Sequence, residues 1–568
     1  MRRITRMSKA WRYIPTLVMV VCVGSSVRAQ DKDLKPVEIV VQTSFKPAVT
    51  EAVRLMDEPQ IPDTTLPTPK LEYEVLPRQV ATDYAPEPIT AAKFKGEKLP
   101  RLYRGYFQGG VGNYTTPYAE LYLNSIRNKK YSQGLHLKHM SSAGNLLDYG
   151  YSGFSDNLAT VYGKQFLSTF TLNESLNWNR QVVHYYGFND LDTLIPYYHI
   201  PVEKNDIKQR FVGLDGNIGF LSQQVDTGKM HLHGDLGFRR FEDLYGTGES
   251  HLRIQGGMEQ AFHTEFLQID LRTDYYRQAL VQDTASAIIL NLNPRISTRR
   301  EKWYFTLGLN LFLESDSLRE ITFFPDVQLG FHLIPKVLTA YVQGIGDVER
   351  NDLGRLAEAN PFISTDSRDF LMKNRRELKV RGGLRGALSQ HTAFHVNYSL
   401  SNIENELFFI QDPDLVLYNK FLPVYDGLMA HTFRGEVSFD DQRKIRVTAS
   451  AQYATYETDS IRSAWYRPQM KGGLSARYNM QNKILLQLDA FYVGKRPFLD
   501  PENPVVKTDP YLKGYLDLNL RVEYRYSKIL SAFVRLQNLT GKRYMVWNNY
   551  PSQRIQLLAG FSYSFWGQ

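Results

Sequence analysis

The sequence predicts an all-β protein, a transmembrane antiparallel β-barrel of about 22 strands preceded by a Pro-rich extended N-terminal arm. Three observations carry this. From Tyr103 onward, apolar and polar residues alternate over long segments. Short connections alternate with longer ones along the same region. Beyond the first thirty residues no run of 18 apolar residues occurs, which excludes a helical membrane protein. The chain has 568 residues, 43% of them hydrophobic and 13% aromatic, too apolar for a disordered chain. With a single cysteine, neither a disulfide scaffold nor a zinc–thiolate site can form.

Residues 1–29 read as a secretory signal peptide. Arg2, Arg3, Arg6, Lys9 and Arg12 form a basic start, Ile14 to Gly24 is a short apolar run, and Val27-Arg28-Ala29 precedes the expected cleavage. The run is too short to anchor the chain in a membrane. Lipidation at Cys22 is disfavoured by the bulky Val21 before it. Six of the 68 basic residues and none of the 59 acidic ones lie in this segment. The remainder therefore holds 62 basic and 59 acidic residues, a net charge of +3 rather than +9, and a nucleic-acid partner loses its main support.

Residues 30–100 read as an arm. Ten of the 26 prolines fall here, too many for a helix or a central strand. The arm also carries Val37, Ile39, Val41 and Phe45, then Leu71, Tyr73, Val75 and Leu76. A purely solvated linker has no use for them. They suggest docking, either in a barrel lumen or as a strand added to a periplasmic partner.

Residues 101–568 read as the barrel. Leu516, Leu518, Leu520, Val522, Tyr524 and Tyr526 share one face, and Asp517, Asn519, Arg521, Glu523 and Arg525 the other. Leu267, Ile269, Leu271, Thr273 and Tyr275 oppose Gln268, Asp270, Arg272 and Asp274. Phe305 to Leu313, Val327 to Leu333 and Ile484 to Ala490 repeat the pattern. Period two identifies strands, and their length suits a tilted bilayer crossing rather than a soluble sandwich. An outer-membrane barrel turns the apolar face to lipid and keeps charge inside.

Ten short turns are expected: Asn128 to Lys130, Gly163 to Gln165, Ser222 to Gly228, His263-Thr264, Ser297 to Glu301, Pro335-Lys336, Ser389-Gln390, Asp440 to Arg443, Met480 to Asn482 and Ser527-Lys528. Between them lie longer segments, among them Met140 to Asn157, Tyr186 to Asp206, Asn351 to Asn374 and Phe408 to Gly427. Short periplasmic turns and long external loops are the barrel pattern. Leu557, Ala559, Phe561, Tyr563 and Phe565 read as a last strand closing onto the first.

The stretch Leu536-Gln537-Asn538-Leu539-Thr540-Gly541-Lys542-Arg543-Tyr544, then Tyr550-Pro551-Ser552-Gln553-Arg554 and the Phe-rich end, resembles the close of a TonB-dependent receptor barrel. The resemblance implies a 22-strand barrel in the bacterial outer membrane. It departs from that family in one respect. Only the 71 residues of the Pro-rich arm precede the barrel, where the family has a larger folded plug. The chain is thus similar to plug-lacking receptor-like barrels of Bacteroidota, some of which are parts of multiprotein machines. Glu38-Ile39-Val40-Val41 is a short match to a TonB box.

Chemistry-bearing residues are sparse. His231, His233 and Asp235 alternate on one strand and should share a lumen face, a spacing able to hold a metal but equally ordinary for a polar wall. His136 and His139 do not make a pair of this kind. Asn189, Asp190 and Asp192 fall in an external loop, where an Asx turn is the simpler reading than a calcium site. Arg101, Arg104, Arg127, Lys129 and Lys130 cluster at the expected periplasmic rim, placed for snorkelling, for anionic lipid including lipopolysaccharide, or for a protein partner. No Gly-x-Ser-x-Gly, phosphate-binding loop or dinucleotide fingerprint occurs, so the chain reads as a non-enzyme without cofactor. Three functions follow: a channel or transport protein, an accessory subunit of an outer-membrane assembly or secretion complex, and TonB-coupled nutrient uptake.

Overall fold

The computed structural model describes Glu74 and residues 101–567, apart from 145, 189–202, 224–227, 280–283, 316–318, 367–371, 416 and 503–507. The signal peptide, the arm positions Val37, Ile39, Val41, Phe45, Tyr73 and Val75, and the loop residues Asn189, Asp190 and Asp192 lie outside the described residues.

The first strands are β1 (Tyr103–Gly112), β2 (Thr116–Asn124), β3 (Tyr131–Ser142), β4 (Phe154–Phe166), β5 (Phe170–His184) and β6 (Lys208–Ser222). Next come β7 (His231–Glu242), β8 (Gly248–Phe262), β9 (Glu265–Ala279), β10 (Thr284–Arg299), β11 (Trp303–Ser315), β12 (Arg319–Ile334) and β13 (Leu338–Arg350). A short helix α1 (Leu353–Ala359) precedes β14 (Asn374–Ala387), β15 (Thr392–Gln411), β16 (Phe421–Asp440), β17 (Ile445–Thr458), β18 (Met470–Met480) and β19 (Ile484–Val493). Then follow β20 (Arg496–Pro497), β21 (Tyr511–Leu512), β22 (Tyr515–Arg525), β23 (Leu530–Gln537), β24 (Met545–Trp547), β25 (Tyr550–Pro551) and β26 (Gln556–Gly567).

Twenty-two of these strands form one antiparallel sheet, while β20–β21 and β24–β25 are two small ribbons in loops. The sheet closes where β1 pairs β26, with Gly105 opposite Phe565 and Gly112 opposite Leu558. Closure leaves the wall without an edge at the seam, as lipid requires.

Alternation sets the two faces. On β9, Leu271 and Tyr275 are 47% and 40% exposed, whereas Asp274 and Gln278 are each 2% exposed. Leu307, Leu309, Leu313, Phe331, Leu333, Phe561 and Tyr563 are likewise exposed. The outside is thus the apolar face and the inside the polar one, the inverse of a soluble barrel.

All ten short turns join strands at the rim where the chain enters at Tyr103 and leaves at Gly567. Two were misplaced by sequence. Ser297, Thr298 and Arg299 belong to β10, paired with Thr306 to Tyr304 of β11, and that turn is 300–302. Gly163, Lys164 and Gln165 belong to β4, and the turn is 167–169, because Phe166 still pairs with Thr171 on β5. At the other rim, Phe408 to Gly427 is not one long loop. β15 and β16 continue as a hairpin of two 20-residue strands with the connection at 412–420, since Leu407, Phe408, Phe409 and Phe421 are buried. Not every outer connection is long: β1 and β2 are joined by 113–115 alone.

The wall has one irregular seam. β12 pairs with β11 along its whole length, to Ser315 opposite Arg319. With β13 it pairs only from Ile334 to Asp326, and the ladder stops at Pro325, which has no N–H to donate. Beyond that point β13 stays paired with β14, up to Arg350 opposite Asn374, but leaves β12. Val342 and Val380 on this hairpin face lipid, so Val348 and Leu378 carry the same parity. Yet Val348 is 0% exposed, and both residues pack with Tyr276, Ala287, Ile289, Phe312 and Phe324 of the inner wall. The upper end of the β13–β14 hairpin has folded inward, laying its outer face on the inside of β9–β12.

Candidate functional site: the outer mouth

Four connections from three parts of the ring meet at the outer mouth. They follow β5, β13, β15 and β23, and eight strands separate the first from the second, six the third from the fourth. One buried apolar cluster gathers residues from these regions: Phe211 and Phe241, Leu353, Leu356 and Ala357 of α1, Ile363, Leu407, Phe421 and Tyr550. Tyr186, Phe362 and Trp547 border it.

Helix α1 exists because Asp352 caps it, accepting from the Arg355 N–H at 2.7 Å, and because Leu353, Leu356 and Ala357 give it one apolar face. Tyr550 is the centre of the cap. It is fully buried, stacks on Phe362 at 3.9 Å, and donates its hydroxyl to the Asn419 carbonyl. Gly187 makes room for it: a Cβ there would lie 2.2 Å from the Tyr550 ring. Tyr186 donates to the Pro551 carbonyl at 3.1 Å.

A polar layer joins the same loops. Tyr185, buried, donates to the Ile363 carbonyl at 2.8 Å and receives Gln209 Nε2 at 3.1 Å. Asn419 Nδ2 donates to the Tyr185 carbonyl at 2.9 Å. Thr247 donates to the Thr365 carbonyl at 2.9 Å, and Thr365 donates to Asp243. Lys420 Nζ lies 3.0 Å from Asp366 and within 5.1 and 4.9 Å of the Tyr185 and Tyr245 ring centres.

Burial pushes the Tyr185 and Tyr550 phenols well above their ordinary value and the Tyr245 phenol up to about 12. These hydroxyls act as donors, not bases. Burial also pushes the Asp366 carboxyl up, but the Lys420 charge and the hydrogen bonds from Lys420 and Ser364 outweigh it and hold it below the usual carboxylate value. Burial raises the Asp412 carboxyl.

The inward hairpin is fastened by charge. Arg376 reaches Glu314 at 2.8 Å, Glu320 at 2.5 Å and Glu404 at 3.2 Å. Asn374 Nδ2 donates to Glu314 at 2.8 Å, and Arg350 to Gln278 at 3.2 Å. Arg272 reaches Asp347 at 3.3 Å.

Of the residues singled out from sequence, His231, His233 and Asp235 do share the lumen face of β7, and His233 Nε2 lies 3.1 Å from Asp270 on β9. Among the described residues no group of three or more His, Cys, Asp or Glu is arranged to hold a metal. His136 binds Glu120 at 2.9 Å inside, and His139 binds Asn157 at 2.7 Å on the opposite face. Arg104 lies in β1, and Arg127, Lys129 and Lys130 lie in the 125–130 turn at the rim of the chain ends. None of these belongs to the mouth. Sequence reasoning missed Tyr185, Phe362, Lys420 and Tyr550, whose only signal was an aromatic-rich set of outer connections.

No protein-family model matches the sequence, and no curated protein matches it. Solved structures do. The FrpB iron transporter of Neisseria meningitidis superposes with a TM-score of 0.64 at 9% identity, over 82% of each chain. The siderophore receptor PirA of Acinetobacter baumannii gives 0.61 at 11%, over 83% of this chain and 81% of PirA. The ferric-catecholate import receptor Fiu of E. coli K12 gives 0.57 at 12%, over 82% of each chain. At such identities the likeness is one of fold. Together with the outward apolar face and the closed sheet, it makes this chain a 22-strand barrel of the bacterial outer membrane, with the fold of TonB-dependent receptor barrels.

Proposed function

We propose that this protein is a gated outer-membrane transport protein of the receptor-like class, not an enzyme. The observation that carries this is the cap: connections six to eight strands apart share one buried apolar cluster over a polar, charge-lined interior. A constitutively open pore has no use for such a cluster. The similar structures are named as iron transporters and siderophore receptors, which supports transport as the general role. The substrate class stays open in this reading.

Single-channel recording tests it. The purified protein should be silent or nearly so, and a variant with residues 351–373 replaced by a short Gly-Ser linker should conduct. Constant porin-like conductance from the native chain would overturn gating. A linker variant that folds yet stays sealed would overturn transport.

A second reading, an accessory subunit of an envelope complex, is favoured by the sequence of the arm. Its apolar positions Val37, Ile39, Val41, Phe45, Tyr73 and Val75 suit docking on a protein partner. It predicts stoichiometric envelope proteins in a mild-detergent pulldown, lost when residues 30–100 are removed. TonB coupling through residues 38–41 predicts that deleting 30–45 abolishes uptake. At the membrane, we assign Arg104, Arg127, Lys129 and Lys130 to contact with the anionic lipid surface, and the apolar outer face to outer-membrane lipid including lipopolysaccharide. The lone His231, His233 and Asp235 row is assigned to the polar wall.

A further inference from the structure

The folded-in hairpin leaves a strand edge behind. β12 from Arg319 to Pro325 has β11 on one side and, among the described residues, no strand on the other. From Ile321 to Pro325 its outward side chains are not polar. Ile321 and Phe323 are 59% and 57% exposed and continue the apolar row of Val327, Leu329, Phe331 and Leu333. Open edges are not stable against hydrocarbon, because their N–H and C=O groups find no partner there. An uncovered apolar edge of this kind needs an occupant.

The occupant that fits is the segment that left. The register between β12 and β13 ends with Asp326 opposite Ile345. Continued without a shift, it sets Pro325 opposite Gly346, Phe323 opposite Val348 and Ile321 opposite Arg350. Parity agrees at each step. Val348 and Leu378 would join Phe323 on the lipid face, and Arg350 and Arg376 would rise to the headgroup level, where long basic side chains settle. The inward arrangement satisfies the same side chains differently, in the cluster with Phe312 and Phe324 and in the carboxylates of Glu314 and Glu320. Gly346 belongs to the inward state, since a Cβ there would lie 2.5 Å from Phe324 Cβ. In the extended ladder that position faces outward and has room.

Resting on the transport reading, we propose that the upper β13–β14 hairpin is the moving part of the gate. Folded inward, it carries α1 into the cap. Zipped onto β12, it completes the wall and draws α1 away from the mouth. The hairpin is thus a two-state element with a defined alternative partner for each of its faces.

Engineered cysteine pairs test it in outer-membrane preparations of the full chain, whose only native cysteine is Cys22. Val348→Cys with Phe312→Cys, partners in the buried cluster, should cross-link readily and report the inward state. Phe323→Cys with Val348→Cys lie on opposite sides of the wall here, and should cross-link slowly through excursions to the zipped state. Adding Gly346→Val or Arg376→Met to the second pair should raise its rate tenfold or more. The Arg376→Met variant, shifted toward the zipped state, should conduct, and its conductance should vanish when the first pair is locked and return on reduction. Absence of the first cross-link would overturn the inward packing. Absence of the second, while the protein conducts, would overturn the hairpin gate and leave transport standing. Capture of another envelope protein by Phe323→Cys alone would also overturn it. Ready cross-linking of both pairs in a protein that never conducts would sink the transport reading instead.

Discussion

Truncating Tyr550 should open the cap without unfolding the barrel. Its ring is fully buried, is stacked on Phe362 at 3.9 Å, and its hydroxyl satisfies the Asn419 carbonyl. Removing a buried aromatic ring costs about 3–5 kcal/mol when the site cannot collapse. The lost ring pair is worth about 1 kcal/mol of that. Tyr550→Phe loses only the hydroxyl's bond, about 1 kcal/mol. The two variants should therefore differ by about 2–4 kcal/mol, a factor of roughly 30 to 1,000 in the open population of the cap. Hydrogen exchange read by mass spectrometry gives that population directly. Peptides covering 353–363 and 412–420 should exchange faster in Tyr550→Ala by this factor, while those of β9–β11 stay protected. Equal exchange in the two variants would refute the central role of the ring. Loss of protection throughout the barrel would refute the separation of cap from wall.

Three further outcomes are expected. Gly187→Ala should loosen the cap by about 1–3 kcal/mol, because the new methyl displaces the Tyr550 ring, and loop proteolysis should show it. Acid should loosen the cap through Asp366: its carboxyl is held below the usual value in the fold, so its contribution is present above about pH 4 and is lost as pH falls through the folded value. Exchange of peptides 412–420 against pH should show this step in the native protein and not in Asp366→Asn, while Asp412, raised by burial, acts in the opposite sense and its Asn variant serves as the control. Leu309→Lys, on the lipid face, should cost about 2–4 kcal/mol of barrel stability and lower the folded yield, whereas Gln268→Lys on the lumen face should be tolerated, as heat-modified gel mobility would report.

The wall was legible in the sequence because its rule is local. A residue's face follows from its neighbours two positions away, and Leu271 against Asp274 obeys it. The strand total followed from turn residues, and even the misplaced Gly163 turn left the total intact. The site was not legible, because its contacts are long-range. Tyr185 meets Ile363, and Tyr550 meets Asn419, across more than one hundred residues of chain. Val348 and Leu378 show the limit most clearly. Their parity reads as lipid-facing, and only the departure of β13 from β12 turns them inward.

That departure also decides where the molecule can yield. In the paired wall, opening a ladder exposes several N–H and C=O groups to hydrocarbon at once, at several kcal/mol for each unsatisfied group. The cap is held by side chains, each worth about 1–4 kcal/mol, and by one backbone bridge, Ile363 to Phe421. Between these two regimes stands the β12–β13 seam, where the ladder is already absent beyond Asp326. Moving the hairpin there breaks no sheet bond between β13 and its partner β14, which travel together to Arg350 and Asn374, and it carries the top of β15 with it through the pairs from Leu378–Asn402 to Arg376–Glu404. It exchanges the contacts of Val348, Leu378 and Arg376, and those of Leu353, Leu356 and Ala357 in the cap, for another set plus the pairing of a free edge. On the proposed reading the mouth opens at this seam because no β12–β13 ladder has to break there.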